Sequence, residues 1–318
     1  MIKILFTGHV DHGKSTTIGH LLYKIGYVSE HEFKQLEKEA IEAKMEKWKY
    51  AWILDLYAEE RERGKTIDFN KVEMKYADNT YLFIDTPGHK TFIRQLIYGI
   101  NYVANPKTII GCLVVSVIAN EFNSGMKGGQ TREDLIIIRA SGIENLIVLL
   151  NKIDAIKWSE DVLKERKKVL DDFIVKLGFK RVEYLPISGY NGTGLLDIIN
   201  ISQNINKLIC DEKNEMLESK ECTMILAQIK MINCDGIIIS AGYVCVMHVR
   251  DKEYDVEFDK IKNKVVVKVG DVITVKLIRK IYDDMSKNDS VMMCSENDKI
   301  ILRNGDVTLG YGKILQVK

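Results

Sequence analysis

The residues with the clearest capacity for chemistry form a short glycine-rich segment near the beginning of the chain. Residues 8–15 read Gly-His-Val-Asp-His-Gly-Lys-Ser, the G-x-x-x-x-G-K-[ST] pattern, between an apolar run predicted as a strand and a run with helical periodicity. Two glycines let the backbone wrap around a phosphate, and the loop amides and the following helix N-terminus point at it. Lys14 adds a positive charge at the outer phosphates, and the Ser15 hydroxyl is placed to bind Mg²⁺. The residues predicted to bind a nucleotide here are Gly8, His9, Val10, Asp11, His12, Gly13, Lys14, Ser15 and Thr16.

A second candidate element, Asp85-Thr86-Pro87-Gly88, follows the predicted strand Thr80–Ile84. The Asp85 carboxylate leaves the strand end, where it can hold the magnesium shell through water, and the Gly88 amide can reach a γ-phosphate. The D-x-x-G pattern alone is a weak signal, because many turns contain it. Directly after a strand, and downstream of a phosphate loop, it becomes a strong one.

A third group of residues predicts which base is bound. Guanine offers a ring N–H and an exocyclic amine side by side, so one carboxylate, that of Asp154, can accept from both. Asn151 can bind the base edge and the neighbouring backbone, and the stem of Lys152 can cover the ring. Ser188 and Gly189 would supply a backbone donor to the guanine carbonyl. The sequence therefore predicts a GTP or GDP site with Mg²⁺.

The elements that must position these residues alternate along residues 1–210. The predicted strands are Ile2–Thr7, Thr80–Ile84, Ile109–Ser116, Leu146–Leu150 and Glu183–Pro186. The predicted helices between them are Lys14–Ile25, Thr91–Tyr102, Gly129–Ala140, Ser159–Leu177 and Gly194–Leu208. This alternation predicts an α/β domain with a mostly parallel sheet and helices on both faces, whose ligands lie beyond the carboxyl ends of the strands.

The chain changes character after residue 210. Residues 211–221 are charged and poor in apolar side chains, which predicts a linker. Residues 222–318 contain short β-branched runs separated by turn signals, which predict one small antiparallel β-barrel. Its predicted strands are Met224–Ile232, Ile237–Val249, Lys264–Ile278, Val291–Met293 and Val307–Val317.

One charged stretch of the first domain, Glu30–Ile53, carries apolar residues at loosely helical spacing. This pattern favours an amphipathic helical insert that packs on the sheet over a helix that binds a partner. Its predicted apolar positions are Phe33, Leu36, Ile41, Met45, Trp48 and Ile53.

Composition excludes several other classes of protein. The 318 residues are 46% hydrophobic and 29% charged, with a net charge of +1, so overall charge gives no argument for nucleic acid binding. The 6 cysteines show no C-x-x-C spacing, which disfavours a zinc site. Since no apolar run approaches the roughly 20 residues of a membrane span, we expect no membrane association and a cytoplasmic location.

These motifs resemble the translational GTPases of the elongation-factor-1-alpha group. The resemblance covers the whole first domain and is specific to ribosomal factors rather than to small signalling GTPases. The matching segments are Gly8–Thr17, Lys49–Trp52, Glu60–Asp68, Asp85–His89, Gly129–Glu133, Asn151–Asp154 and Ser188-Gly189.

The resemblance implies roles for three further residues. Thr66 resembles the switch threonine whose hydroxyl reaches Mg²⁺ and which becomes ordered with a γ-phosphate. His89 resembles the histidine that orients the attacking water when the ribosome docks. Asp11 resembles a residue near the bridging phosphate oxygens that could assist a monovalent cation. We therefore expect a GTPase, slow alone and fast on the ribosome, with Lys14, Thr66 and His89 as its catalytic residues. The other histidines lack this context and are interpreted as structural or exposed.

Several segments are closer to the eukaryotic release-factor GTPase than to the aminoacyl-tRNA carriers. They are Gly64–Thr66, Gly88–Phe92 and Lys127–Glu133. Residues 225–243 and 301–316 resemble the final barrel of the family, while no segment resembles its middle barrel. The expected protein is thus a reduced member of the elongation factor 1 alpha and release-factor group.

This resemblance gives one preferred function and two alternatives. The preferred function is termination or rescue: the last barrel binds a tRNA-shaped protein, either a stop-codon-reading factor or a rescue factor, on the ribosome. The first alternative is an elongation-factor-like aminoacyl-tRNA carrier, which the missing middle barrel disfavours. The second is a non-catalytic, GTP-dependent regulator or decoy of the translation machinery.

Overall fold

A computed structural model gives the fold of the chain. It describes residues 1–42, 44, 46, 49–54, 70–86, 96–97, 99–100, 106–126, 129–210, 219–234, 236–250, 252–262, 264, 266–282, 290–305 and 307–318. The chain divides into two compact units, the first made of residues 1–139 and 143–213 and the second of residues 140–142 and 214–318. In the described ranges, none of the helices combines the length and apolarity needed to cross a lipid bilayer.

The first unit is built on a six-stranded sheet with the order β2-β3-β1-β4-β5-β6. All neighbouring strands are parallel except β2 and β3, which pair antiparallel. Strands β4 and β5 are buried along their whole length, as expected of strands covered on both faces. The strands are β1 (Ile2–Thr7), β2 (Asn70–Tyr76), β3 (Asn79–Asp85), β4 (Ile109–Ser116), β5 (Asn145–Asn151) and β6 (Arg181–Pro186).

Helices follow β1, β4, β5 and β6, as expected from the sequence, whereas strand β2 and the helix Ala119–Met126 were not predicted. The predicted mostly parallel α/β fold is confirmed, with element ends within about two residues of those expected. The predicted helix Thr91–Tyr102 falls mostly outside the described residues. The helices that lie wholly within the described residues are α1 (Lys14–Lys24), α2 (Glu30–Glu42), α3 (Ala119–Met126), α4 (Gln130–Ala140), α5 (Glu160–Leu177) and α6 (Leu195–Cys210), and 3₁₀ turns occupy Pro106–Thr108 and Ile153–Ile156.

The structure corrects the prediction of which residues of the helical insert are buried. Phe33, Leu36 and Ala40 form the buried side of α2, at positions i, i+3 and i+7 of one helix face. Ile41, predicted to belong to this face, lies about 100° further around the helix and is 52% exposed. Ile53 is buried as predicted, while Met45 and Trp48 lie outside the described residues.

The second unit is the predicted antiparallel barrel, closed in the order β10-β11-β8-β14-β13-β9. Strands β7 and β12 form a separate two-stranded sheet, and β7 takes the last two residues of the predicted linker. The strands are β7 (Lys220–Cys222), β8 (Met224–Met231), β9 (Val244–Val249), β10 (Lys252–Ile261), β11 (Val272–Arg279), β12 (Met292–Cys294), β13 (Lys299–Asn304) and β14 (Val307–Val317).

Two barrel strands begin later than the sequence suggested. Residues 237–243 and 266–271 contain several β-branched residues but form no strand, so β9 begins at Val244 and β11 at Val272. Strand β10 was not predicted, because charged residues alternate with its inward-facing Tyr254, Val256 and Phe258. The physical pattern of a half-buried strand is nevertheless present in that alternation.

Candidate functional site

The glycine-rich segment connects the end of β1 to the start of α1, at the carboxyl edge of the sheet. Its two glycines are required by close approaches of the chain. A Cβ atom on Gly8 would lie 2.3 Å from the carbonyl oxygen of Val114, and one on Gly13 would lie 2.5 Å from Nδ2 of Asn151. Both residues also have positive φ, 139° and 88°. The loop therefore fits closely between β4 and β5, and its glycines are needed there before any ligand is considered.

Lys14 begins helix α1 and is almost fully buried. Its Nζ donates to the carbonyl oxygen of His9 at 3.0 Å, so the ammonium lies against the loop. Burial lowers the pKa of Lys14, and the nearby carboxylates of Asp85, Asp134 and Asp11 oppose this effect. A buried ammonium at a helix N-terminus is a suitable partner for the negative charge of phosphates.

Ser15 and Asp85, the two described residues expected to hold Mg²⁺, are in contact, although 70 residues separate them in the sequence. The Ser15 hydroxyl donates to Oδ2 of Asp85 at 3.0 Å, and Asp85 ends strand β3. A hydroxyl and a carboxylate oxygen fit Mg²⁺, which takes one or two protein oxygens together with phosphates and water. In the part of the chain that the structure describes, no three His, Cys, Asp or Glu side chains form a metal-binding cluster.

Asn151, at the end of β5, connects the phosphate loop with the predicted guanine side. Its Nδ2 donates to the carbonyl oxygen of His12 at 2.9 Å. Its Oδ1 accepts from the backbone amides of Lys152 and Gly189, both at 2.8 Å. One buried amide side chain therefore ties together three segments that are far apart in the sequence.

The other predicted base-reading residues lie around Asn151. Lys152 has a φ of 67°, and its Nζ forms a 2.7 Å ion pair with Glu121 of α3. Asp154 lies in the 3₁₀ turn Ile153–Ile156, where its residue is exposed. Ser188 is buried, and its Oγ accepts from the Asn191 amide at 3.1 Å. The exposed carboxylate of Asp154 and the turn at Ser188 therefore lie at the carboxyl edge of the sheet, as the phosphate loop does.

The side chain of His12 does not face a ligand. Its Nδ1 lies 3.3 Å from the carbonyl oxygen of Val114, and its Nε2 lies 3.1 Å from that of Glu121. Burial lowers the pKa of His12 to about 4, so the ring is neutral at physiological pH. His12 therefore contributes to the loop through its backbone and through packing. In the same loop, Val10 and Asp11 are exposed.

The contacts of His20 were not predicted from the sequence. Its Nδ1 lies 2.8 Å from the carbonyl oxygen of Gly189, and its ring stacks on Tyr50 with a centroid separation of 3.8 Å. His20 thus supports the turn next to the predicted guanine site. The sequence offered one signal for this contact, the Lys49–Trp52 motif, which contains Tyr50. That motif does not belong to the nucleotide-binding residues predicted from the sequence.

Three predicted residues are not placed by the structure. Thr66, Gly88 and His89 lie outside the described residues, so their roles stay predictions. The described residues of the site are brought together by β1, β3, β5 and the turn after β6, as the sequence indicated.

The fold and the site define a P-loop protein of the kind that binds a guanine nucleotide. A family model described as the elongation factor Tu GTP binding domain matches residues 1–228. The chain belongs to this family, and more particularly to the translational GTPases of the elongation factor 1 alpha and release-factor group. The resemblance inferred from the motifs is thereby confirmed.

Curated relatives support this assignment over part of their length. Elongation factor 1-alpha of Ignicoccus hospitalis is 41% identical over 209 residues, which cover 64% of this chain and 46% of that protein. Elongation factor 1-alpha of Aspergillus oryzae is 41% identical over 199 residues, which cover 62% of this chain and 42% of that protein. The chain therefore spans less than half the length of these relatives.

Two solved structures share the fold over nearly the whole chain. The GTP-bound GTPase-like domain of Saccharomyces cerevisiae Ski7 gives a TM-score of 0.74 at 15% identity, covering 98% of this chain and 96% of that one. Elongation factor SelB of Methanococcus maripaludis, in complex with a GTP analogue, gives a TM-score of 0.61 at 13% identity, covering 100% and 79%. At these identities the likeness concerns the fold alone.

Proposed function

We propose that this protein binds GTP and GDP with Mg²⁺ and hydrolyses GTP on the ribosome. The observation that carries the nucleotide assignment is the set of three hydrogen bonds of Asn151. They hold the phosphate loop and the turn at Gly189 against one side chain, so a single nucleotide could contact both segments. Membership of the translational GTPase group supports the ribosome as the trigger.

The chemistry follows from positioning and charge neutralisation, as in other phosphoryl transfers. Lys14 and the loop amides would bind the β- and γ-phosphates, and Ser15 and Asp85 would hold the metal. Mg²⁺, when bound, neutralises charge on the phosphate oxygens. In this proposal the backbone of Thr66 and the side chain of His89 hold the attacking water in line with the γ-phosphorus.

We further propose that the protein acts in termination or rescue in the cytoplasm. The similarity of Gly64–Thr66, Gly88–Phe92 and Lys127–Glu133 to the release-factor GTPase supports this branch. The β-barrel of the second unit would bind a tRNA-shaped protein partner, and GTP hydrolysis would release that partner on the ribosome. The whole-length likeness to the GTPase-like domain of Ski7 is consistent with a factor that has this fold.

One experiment separates this proposal from its alternatives. GTP turnover by the full chain is measured with ribosomes alone, with a stop-codon reader or rescue factor added, and with aminoacyl-tRNA added. The proposal expects the protein partner to stimulate turnover most. Stimulation by aminoacyl-tRNA alone would contradict it and favour a tRNA carrier. Nucleotide binding without any stimulated turnover would favour a non-catalytic regulator.

A further inference from the structure

A buried carboxylate outside the predicted nucleotide-binding motifs contacts the start of the phosphate loop. Asp134 lies in the second turn of α4 and is 1% exposed. Its Oδ2 accepts from the Thr7 hydroxyl at 2.7 Å and from the Gly8 amide at 3.1 Å. Its Oδ1 accepts from Nε2 of Gln130 at 2.6 Å, which fixes the orientation of the carboxylate.

The Gly8 amide has little freedom to find another partner. The chain at Gly8 passes so close to β4 that a Cβ atom would lie 2.3 Å from the Val114 carbonyl oxygen. Gly8 is itself buried, and a buried amide left without an acceptor carries a desolvation cost. Asp134 on one side and Val114 on the other therefore fix the first residue of the loop.

The charge of Asp134 indicates that the contact is costly to keep. Burial raises the pKa of Asp134 to about 6, although the Thr7 and Gln130 hydrogen bonds and the Lys14 charge oppose the rise. The charged groups that act on it are Lys14 of α1, which attracts, and Glu133 of α4, which repels. Among the described residues, Asp134 forms no direct ion pair. A buried carboxylate of this kind is an expensive way to join a helix to a strand, and an apolar side chain would do so at lower cost.

We propose that Asp134 is a positioning residue for the phosphates of the nucleotide. It fixes Thr7 and the Gly8 amide, and so sets the conformation in which Lys14 and the later amides of the loop reach the phosphates. This inference rests on the proposed binding of guanine nucleotides. It assigns Asp134 no direct contact with the ligand. Asp134 acts on the nucleotide through Thr7 and Gly8. The effects of substituting Thr7 and Asp134 on GDP affinity must therefore be non-additive.

The test measures the GDP affinity and the urea-unfolding midpoint of the full chain, of four variants at Thr7 and Asp134, and of one control variant. Asp134→Ala removes the acceptor and should weaken GDP binding at least tenfold. Asp134→Asn keeps an acceptor oxygen and should weaken it less. Thr7→Val removes one donor and should weaken it roughly threefold, while Thr7→Val with Asp134→Ala should bind GDP no worse than Asp134→Ala alone.

Ile138→Ala is the matched control, because Ile138 is a fully buried residue of the same helix. It should lower the unfolding midpoint and leave the GDP affinity within about threefold of the wild type. The proposal is overturned if Asp134→Ala and Thr7→Val bind GDP like the wild type, or if Ile138→Ala loses as much affinity as Asp134→Ala. Should Asp134→Ala fail to fold, wild-type affinity in both Thr7→Val and Asp134→Asn overturns it. A wild-type chain that binds no GDP would overturn the proposed function, and this assignment with it.

Discussion

The side chain of Asn151 offers the sharpest perturbation of the nucleotide site. Asn151→Ala removes an acceptor from two backbone amides and a donor from the carbonyl of His12. The His12 carbonyl and the Gly189 amide belong to buried residues. Each buried group left unpaired costs about 1–3 kcal/mol, and the costs in one network do not simply add, so we expect a loss of about 3 kcal/mol in the free energy of unfolding.

Asn145→Ala is the matched control for this change. Asn145 begins the same strand that Asn151 ends, and both residues are 2% exposed. Its Oδ1 accepts from Nη1 of Arg181 at 2.9 Å, at the opposite edge of the sheet from the phosphate loop. Losing this bond should cost about 1–2 kcal/mol of stability without affecting the ligand.

The assay is urea unfolding with and without GDP and Mg²⁺. At a GDP concentration of about 100 times the wild-type Kd, the ligand should stabilise the wild type and Asn145→Ala by about 2.7 kcal/mol. A tenfold loss of affinity in Asn151→Ala would reduce this gain to about 1.4 kcal/mol. A full gain in Asn151→Ala, or an equal loss of the gain in Asn145→Ala, would contradict this prediction.

Three further changes test other parts of the account. The pKa of Asp134, about 6 against an ordinary value of 3.8, means that this group's contribution to stability is complete below about pH 4 and is lost as the pH rises through 6. As the pH rises from 4 to 7, the free energy of unfolding of Asp134→Asn, measured in urea, should therefore increase relative to the wild type by up to about 3 kcal/mol. A difference that does not change with pH would contradict this. Asp154→Asn should shift nucleotide preference from guanosine towards xanthosine diphosphate in competition binding; an unchanged preference would remove Asp154 from base reading. Gly19→Ala would place a Cβ 1.9 Å from the Tyr50 carbonyl oxygen, so it should lower stability by about 1–3 kcal/mol, where alanine in a helix ordinarily adds about 1. A thermal midpoint of Gly19→Ala above that of the wild type would contradict this prediction.

The parts of the fold that the sequence predicts well are those with strong local signals. Strands β1, β4 and β5 are apolar runs because they are buried, and the phosphate loop has fixed spacing because the chain must turn tightly there. The pairing of Ser15 with Asp85 was also predictable, since both lie where strands end at one edge of the sheet.

Other features depend on contacts that no local pattern contains. Strand β2 is polar and has only Val72 buried, because it is an edge strand that pairs with β3 alone. The contacts of His20 with Gly189 and of Asp134 with Thr7 join residues 169 and 127 positions apart. In the sequence these side chains cannot be distinguished from other helix residues, because their partners come near only in the folded chain.

The most direct test of the central claim is ribosome-dependent GTP turnover by the full chain and by His89→Ala. We predict slow turnover by the wild type alone, at least tenfold faster turnover with ribosomes, and loss of that stimulation in His89→Ala. Turnover that ribosomes do not change, or stimulation that His89→Ala retains in full, would contradict the claim that this protein is a ribosome-triggered GTPase.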